Sequence, residues 1–343
     1  MLKIHVLEAA HGDCLFLDFE STKILIDCGP YKPFLIRRNV LNNLKQLLGP
    51  EQKIDLAIVT HNDDDHIGGF ESLIDEDVKI EAIVFNSLQD IPDIIKNSQK
   101  QISYSQDNAL KQRLLAERGI KTLSLIRDSS PLTINDITLI AITPTAEALE
   151  DMLNDANVKK EREEREEKKK RQKQISSSKN EEIKPEEALQ KIQSSEDVFV
   201  KDPSITNKSS IGLVIQCGSF SGLFLGDAHA EDVIEGLNTL GFSNHQFDVV
   251  KISHHGSERN TNIELLSLLG KTDYILCANN EKHNHPNNIT LARILSLYNT
   301  PNIHLSSDNS SLVEKINNFK SLGFNINESY PTNGVNTLCY EYK

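Results

Sequence analysis

Four side chains of metal-binding types stand close together in the segment Thr60–Gly69, THNDDDHIGG. They are His61, Asp63, Asp65 and His66, and they follow an apolar run, DLAIVT, that is rich in β-branched residues. Such a run predicts a buried strand, so we expect the four side chains at the carboxyl edge of a sheet, where binding sites commonly form. Imidazole nitrogens and carboxylate oxygens bind divalent ions, and the spacing indicates two adjacent metal positions.

Two later segments repeat the pattern of an apolar run that ends in a possible ligand. Ser221–Asp227, SGLFLGD, ends in Asp227, and Asp248–Ser257, DVVKISHHGS, ends in the paired histidines His254 and His255. Asp227 could instead cap the helix that follows it, and the histidines could be ordinary surface residues. Each of the two apolar runs predicts a strand.

The segment Thr60–Gly69 resembles the signature of the metallo-β-lactamase fold, His-x-His-x-Asp-His, with Asp63 where the second histidine usually stands. The resemblance implies an α/β fold, a four-layer αββα sandwich of two mixed sheets flanked by helices. It also implies Asp227 as the ligand shared by two ions and His255 as the last histidine ligand. His254 could be that ligand instead, or could line the substrate cleft. An acidic surface loop with two unrelated histidines is the alternative interpretation.

The resemblance implies two divalent metal ions, Zn²⁺ or Mn²⁺. Their ligands would be His61, Asp63 and Asp227 at the first position, and Asp65, His66, Asp227 and His255 at the second. The first position then offers one nitrogen and two carboxylates, which tolerate Mn²⁺ as well as Zn²⁺. The second keeps two imidazoles and suits Zn²⁺ better. We therefore expect weaker occupancy at the first position.

Other residues are expected to support the site or to contact substrate. Asp27, near the end of KILIDCG, resembles the aspartate that supports the metal ligands. The turn His11–Asp13 could lie near the cleft, but a simple hairpin turn explains it at least as well. The family's third histidine is missing between His66 and His229. Three polar residues at the matching strand could approach the cleft or form an ordinary turn: Asn207, Ser209 and Ser210.

The segments NKSS, SHHGS and HNHP are similar to one branch of the superfamily, which includes the nuclease-like domain of bacterial DNA-uptake channels and choline-phosphate esterases. In that branch a histidine often precedes a proline, so His285 resembles a cleft histidine that donates a proton to the leaving group or binds phosphate. His283 would lie beside it. A loop histidine without a role is the alternative for each.

These resemblances imply a hydrolase, most simply a phosphodiesterase or nuclease-like enzyme that uses a hydroxide bridging the two metals. Asp65 and His285 are the expected catalytic residues. A net charge of −13 argues against broad affinity for nucleic acid, but a locally basic cleft could still bind a nucleotide or nucleic acid. A lactone or other carboxylic ester hydrolase is one alternative, which an apolar cleft would favour. A catalytically weak interaction module in a multiprotein system is the other.

Length and charge pattern indicate one domain over residues 1–343 with an insertion at about 147–202. The centre of the insertion, Lys159–Lys173, is almost wholly charged and has no apolar face to bury. It is expected to be a solvated helix or mobile arm that acts as a lid, a substrate grip or a contact for a protein partner. A tolerated surface insertion is the alternative.

Nothing in the sequence suggests a membrane partner, since no apolar run is long enough to span a bilayer and the first residues lack a signal-peptide pattern. The five cysteines are scattered and odd in number, which fits reduced thiols. The expected location is therefore the cytoplasm.

Overall fold

The computed structural model describes residues 1–95, 105–117, 119–155 and 182–343. The charged centre of the predicted insertion, Lys159–Lys173, lies outside these residues.

Among the described residues, seven strands form the first sheet. Their bounds are β1 Leu2–Leu7, β2 Leu15–Asp18, β3 Lys23–Ile26, β4 Lys53–Val59, β5 Lys79–Phe85, β6 Lys121–Leu123 and β15 Val335–Tyr340. The order across the sheet is β15-β1-β2-β3-β4-β5-β6. Strands β3 to β6 are parallel to one another, whereas β15, β1, β2 and β3 pair antiparallel.

Eight strands form the second sheet within the described ranges. Their bounds are β7 Leu132–Ile134, β8 Ile137–Thr143, β9 Gly212–Cys217, β10 Phe220–Phe224, β11 Val249–Lys251, β12 Asp273–Leu276, β13 Asn302–Leu305 and β14 Asn327–Ser329. The order is β14-β13-β12-β11-β10-β9-β8-β7, with β10 to β14 parallel.

The longer helices flank the sheets, and shorter helical turns sit in the connections. The helices are α1 Phe34–Leu48, α2 Asp64–Ile67, α3 Phe70–Asp75, α4 Ile91–Ile94, α5 Ser105–Ala116, α6 146–155, α7 Pro185–Gln193, α8 Ile205–Lys208, α9 Ala230–Thr239, α10 Ile263–Leu269, α11 Asn288–Leu297 and α12 Ser310–Ser321. Two 3₁₀ turns span Gly49–Glu51 and Ser253–Gly256.

Alternating side chains show how the layers pack. In β4, Leu56 and Ile58 face the second sheet and join the core between the sheets, whereas Ala57 and Val59 join the core under α1 and α3. A third core packs α7 and α9 to α12 on the outer face of the second sheet. Since both faces of each sheet are covered, the strands read as nearly continuous apolar runs. The predicted αββα sandwich is confirmed.

The parallel strands bring the candidate site residues to one edge of the sandwich. β3 and β4 end just before Asp27 and His61, while β10, β11 and β12 end before Asp227, His254 and the loop that holds His285. Carboxyl ends of parallel strands meet on one side of a sheet. Residues that lie far apart in the chain are therefore adjacent in space.

The flanks of the predicted insertion pack on the domain. Met152 and Leu153 of α6 are buried, and Leu189 of α7 joins the outer core of the second sheet, as its spacing allowed. The structure thus places residues 146–155 and 182–202 in the folded body. Among the described helices, none has both the length and the apolar character needed to cross a bilayer.

Candidate metal centre

One group of possible metal ligands stands out within the described ranges. Ligand atoms of Asp13, His66, Asp227 and His255 all lie within 4.8 Å of one another, and all four residues are buried. His61 and His254 add two further imidazoles at its edge, because their Nε2 atoms lie 3.8 and 3.6 Å from Asp227 Oδ2. The sequence therefore brings its predicted ligands together around Asp227.

Close backbone packing fixes the loop that carries the first ligands. Gly68 and Gly69 have ordinary negative φ values of −61° and −81°, so they are not needed for a left-handed turn. A side chain at Gly69 would instead collide with the carbonyl of Cys28, and one at Gly68 with the backbone of Tyr31. The two glycines let the loop lie directly against the chain that follows β3.

Left-handed backbone conformations aim the later ligands. Gly226 has a φ of +50°, and a side chain there would also meet the hydroxyl of Ser210. His254 and His255 have φ values of 46° and 56°, which cost free energy in residues other than glycine. Two consecutive left-handed residues point both imidazoles toward Asp227 instead of to opposite sides.

Hydrogen bonds orient the imidazoles through their Nδ1 atoms. His66 Nδ1 lies 2.7 Å from Asp27 Oδ2, so Asp27 has the supporting position that the sequence predicts. His255 Nδ1 lies 2.9 Å from the carbonyl oxygen of Cys277. His61 Nδ1 lies 3.1 Å from Thr60 Oγ1, which itself donates to Asp27. Each of these rings then presents Nε2 to the cluster.

The free atoms of the cluster fit metal ions. His61 Nε2, His66 Nε2, His255 Nε2 and Asp227 Oδ1 are buried without a hydrogen-bond partner. Two ligand atoms of one tetrahedral Zn²⁺, each about 2.1 Å from it, stand about 3.4 Å apart. The distances from the three Nε2 atoms to the nearest Asp227 oxygen run from 3.3 to 3.8 Å. Nitrogen and oxygen atoms at this separation, without hydrogen-bond partners, can bind a divalent metal ion.

The cluster has a more enclosed and a more open half. The inner half comprises Asp65, His66 and His255, and His255 Nε2 lies 3.3 Å from Asp65 Oδ2. The outer half comprises His61, Asp63 and His254, and His61 Nε2 lies 3.7 Å from Asp63 Oδ2. Asp227 faces both halves, which is the geometry of a shared ligand.

A buried ion pair under the cluster was not predicted. Lys251 Nζ forms a close ion pair with Asp13 and donates to the carbonyl of Gly226 at 2.8 Å. Asp13 also lies 3.1 Å from His255 Nδ1, behind the imidazole. Asp13 thus contacts the Nδ1 side of the rings, and we assign it an orienting position. The sequence signal for this ion pair was Lys251, a lysine in the middle of the apolar run DVVKIS.

The buried carboxylates of the cluster favour positive charge on the groups around them. Burial lowers the pKa of His255, but the carboxylates of Asp227 and Asp13 outweigh burial and raise that pKa to about 9. Burial raises the pKa of Asp13, but Lys251 and His255 outweigh it and lower that pKa to about 2. A carboxylate-rich pocket can be neutralised by protons on its histidines or by metal ions.

A cavity of about 120 Å³ opens onto the cluster. Its lining is polar except for one alanine, and consists of His11, Asp63, Asp65, Asp227, His254, His255, Ala278, Asn279, Lys282, His283 and His285. His285 stacks near the paired histidines, with ring centroids 5.1 Å from His254 and 6.1 Å from His255. Burial, and then the neighbouring histidines, lower the pKa of His285 well below its ordinary value. This favours a neutral hydrogen-bonding ring over a proton donor.

The three polar residues before β9 have different positions. Ser210 Oγ accepts from the backbone N–H of Asp227 and lies 3.3 Å from His61 Nδ1. Asn207 lies 3.2 Å from His254 Nδ1. The prediction that Ser209 approaches the cleft is wrong, since its hydroxyl donates to the carbonyl of Thr206 and contacts the sulfur of Met152, 2.9 Å away.

Comparison with known proteins agrees with this geometry. A family model described as the metallo-beta-lactamase superfamily matches residues 8–84, which include the strand end and loop of His61 and His66. Residues 8–84 of the chain are thus similar to the metallo-β-lactamase superfamily. ComE operon protein 3 of Bacillus subtilis (strain 168) is 27% identical over 299 residues, which cover 83% of this chain and 29% of that protein. The chain thus spans less than a third of the length of that superfamily relative.

The solved structures that resemble this chain are distant from it in sequence. The metallo-beta-lactamase fold protein YhfI from Bacillus subtilis is 13% identical, with a TM-score of 0.47 and coverage of 98% of this chain and 99% of that chain. Zn²⁺-bound PqqB from Methylobacterium extorquens is 10% identical, with a TM-score of 0.45 and coverage of 99% and 100%. A diphosphatase from the PhnP family is 11% identical, with a TM-score of 0.42 and coverage of 96% and 85%.

Proposed function

We propose that the protein is a two-metal phosphodiesterase or nuclease-like hydrolase whose substrate is a nucleotide, a nucleic acid or another phosphodiester. The observation that carries this proposal is the lining of the cavity beside the cluster, where Lys282 stands among polar side chains. A lysine ammonium binds phosphate oxygens as a point charge. A lactone or carboxylic ester hydrolase would be better served by an apolar wall, and this lining has little apolar surface.

The proposed metal ligands are His61, Asp63 and Asp227 at the first position and Asp65, His66, Asp227 and His255 at the second. Bound Zn²⁺ or Mn²⁺ would supply positive charge for the phosphoryl oxygens and would make water a stronger nucleophile near neutral pH. Asp65 and Asp227 would orient that water through their carboxylates. Neutral His285 would hydrogen-bond an oxygen of the substrate, and Lys282 would hold the phosphate at the mouth.

The surface next to the cavity supports a substrate larger than a single phosphate. A second cavity of about 940 Å³ shares His254, His283 and His285 with the first, and exposed Arg259 lies on its wall. Acidic side chains, Glu196 and Glu258 among them, also line this cavity, so a phosphate would bind next to Arg259. A substrate held at the metals could therefore extend along it. Because the whole chain has a net charge of −13, we expect these local cations, and not a general attraction, to bind the phosphates. The charged centre of the insertion remains the proposed contact for a protein partner.

The test compares three substrate classes on one metal-loaded preparation: an activated aryl phosphodiester, an aryl carboxylic ester and a lactone. We expect turnover of the phosphodiester in Zn²⁺ or Mn²⁺, and Lys282→Met should raise KM for the phosphodiester about tenfold while leaving any esterase activity unchanged. Hydrolysis of the ester or lactone alone would favour the ester hydrolase. No hydrolysis by protein that contains two ions would favour the interaction module.

A further inference from the structure

The loop after β11 carries two imidazoles, those of His254 and His255. The segment after β4 also carries two, but only that of His61 lies in the outer half. The rings of His254 and His255 are 5.6 Å apart and inclined by 71°. They therefore approach Asp227 from different directions.

His254 has the distance of a ligand to the outer half. Its Nε2 lies 3.6 Å from Asp227 Oδ2, and His61 Nε2 lies 3.8 Å from the same oxygen. The His254 distance falls within the 3.3 to 3.8 Å spanned by His61, His66 and His255. His255 differs because its Nε2 also lies 3.3 Å from Asp65 Oδ2, in the inner half. Thus each half of the cluster has two imidazoles when His254 is counted.

The hydrogen bonds around Asn260 determine which nitrogen of His254 is free. Asn260 Nδ2 donates to Asp202 Oδ2 at 3.0 Å and to the carbonyl of Asp227 at 3.2 Å. Two acceptors on that side fix the orientation of the amide, so its Oδ1 faces His254 Nδ1 at 2.9 Å. An amide oxygen can only accept. Asn207 Nδ2 also lies 3.2 Å from His254 Nδ1, but it donates to Asp202 at the shorter distance of 2.7 Å. Because Asn260 Oδ1 is the nearer partner of His254 Nδ1, we assign the proton to Nδ1, and Nε2 presents its lone pair to the cluster.

Asp202 holds this arrangement from the far flank of the predicted insertion. Its carboxylate accepts from Asn207 Nδ2 at 2.7 Å as well as from Asn260, and it lies 3.4 Å from His254 Nδ1. It is almost fully buried. A carboxylate behind a metal-binding histidine commonly fixes the tautomer and the direction of the ring. Asp202 acts on His254 chiefly through Asn260, whereas Asp27 contacts His66 Nδ1 directly at 2.7 Å.

We infer that His254 is the nitrogen ligand that completes the first metal position, and that Asp202 is its positioning residue. The inference rests on the proposed two-metal site. It gives the first position His61, His254, Asp63 and Asp227, so that an imidazole from the loop after β11 compensates for the family histidine that the chain lacks.

Zn²⁺ binding by the full chain tests the inference. Metal-free protein is titrated with Zn²⁺ against a chromophoric chelator, and bound zinc is counted after desalting. His254→Asn is the main variant, because asparagine tolerates the left-handed backbone but is too short to reach the metal. We expect wild type to bind two ions. In His254→Asn, one ion should bind as in wild type and the other at least about a hundredfold more weakly.

Asp202→Asn is the second variant, and it keeps the test decisive if His254→Asn does not fold. It should weaken one of the two ions by about 10- to 100-fold and leave the other unchanged. His283→Ala is the matched control, since this histidine lines the same cavity and its ring lies 5.7 Å from that of His285. Its two Zn²⁺ affinities should equal those of wild type. Circular dichroism of each metal-free variant checks folding.

Wild-type affinity for both ions in folded His254→Asn or Asp202→Asn overturns the inference. Binding of a single ion by wild type at saturating Zn²⁺ overturns it as well. By contrast, wild type that binds two ions but cleaves no phosphodiester contradicts the proposed function alone.

Discussion

The inner and outer halves of the cluster are built from similar side chains but differ in their surroundings. In the inner half the side chains of His66, His255 and Asp65 are 0%, 4% and 17% exposed. In the outer half the side chain of His61 is also buried, at 0%, but those of Asp63 and His254 are 47% and 24% exposed. The inner half also rests on the Lys251–Asp13 ion pair. An enclosed position is suited to retaining a metal, and an open one to exchanging metal and admitting substrate.

Removing the ligand shared by both halves should have the largest effect. In Asp227→Ala, each half loses a buried carboxylate, so both ions should bind weakly and hydrolysis should fall to background, more than about a thousandfold. Zinc content after desalting and turnover of an aryl phosphodiester measure the two effects. Retention of one tightly bound ion by Asp227→Ala would show that Asp227 binds metal in only one half of the cluster.

Neutralising the inner carboxylate should be nearly as severe. Asp65→Asn keeps the size of the side chain but removes its charge beside His255, and turnover should fall by at least about a thousandfold. The measurement is kcat at saturating metal with the zinc content verified. Near-normal hydrolysis by this variant would reject the two-metal mechanism and favour the interaction module.

Removing the carboxylate of the outer half should reduce activity less and should affect only one of the two ions. Asp63→Ala removes a half-exposed ligand, so one ion should become weak while the inner ion stays bound, and excess Zn²⁺ or Mn²⁺ should restore much of the activity. Activity as a function of metal concentration tests this. If both ions leave together, the halves do not differ in the way that their exposure indicates.

His285→Ala addresses the mouth of the site. Because its low pKa keeps His285 neutral, the variant should lose roughly ten- to a thousandfold in kcat/KM to a similar degree with good and poor leaving groups. Two phosphodiesters that differ in leaving-group acidity provide the comparison. Rescue by the good leaving group alone would show that His285 donates a proton.

The smallest effect is expected from a deletion within the predicted insertion. Deletion of Val158 to Asn180, with a short flexible linker, should change the free energy of unfolding by less than about 0.5 kcal/mol, because that segment has few apolar residues to bury. Thermal unfolding of both proteins with metal bound gives the comparison. Loss of cooperative unfolding would show that the segment belongs to the core. If folding survives but activity on large substrates falls, the segment acts as a lid or grip.

The sequence predicts the elements and ligands that depend on local patterns. The long apolar runs located the central strands, and the segments around His61, Asp227 and His255 located one site. Short strands such as β7 and β14 have three residues each, too few to show a periodicity. The orienting residues Asp13 and Asp202 were missed because their partners lie far away in the chain, and no local pattern reports such contacts.

The pairing of β15 with β1 has a consequence for biosynthesis. β15 completes the first sheet by pairing with β1, Leu2–Leu7. Of the strands of this sheet, β1 is synthesised first and β15 last, so β1 leaves the ribosome long before this partner. Until Tyr340 emerges, one edge of β1 exposes unpaired N–H and C=O groups. The sheet that carries His61 and His66 therefore gains the last of its described strands only after translation has passed residue 340, and until then the β1 edge is open to pairing with another chain.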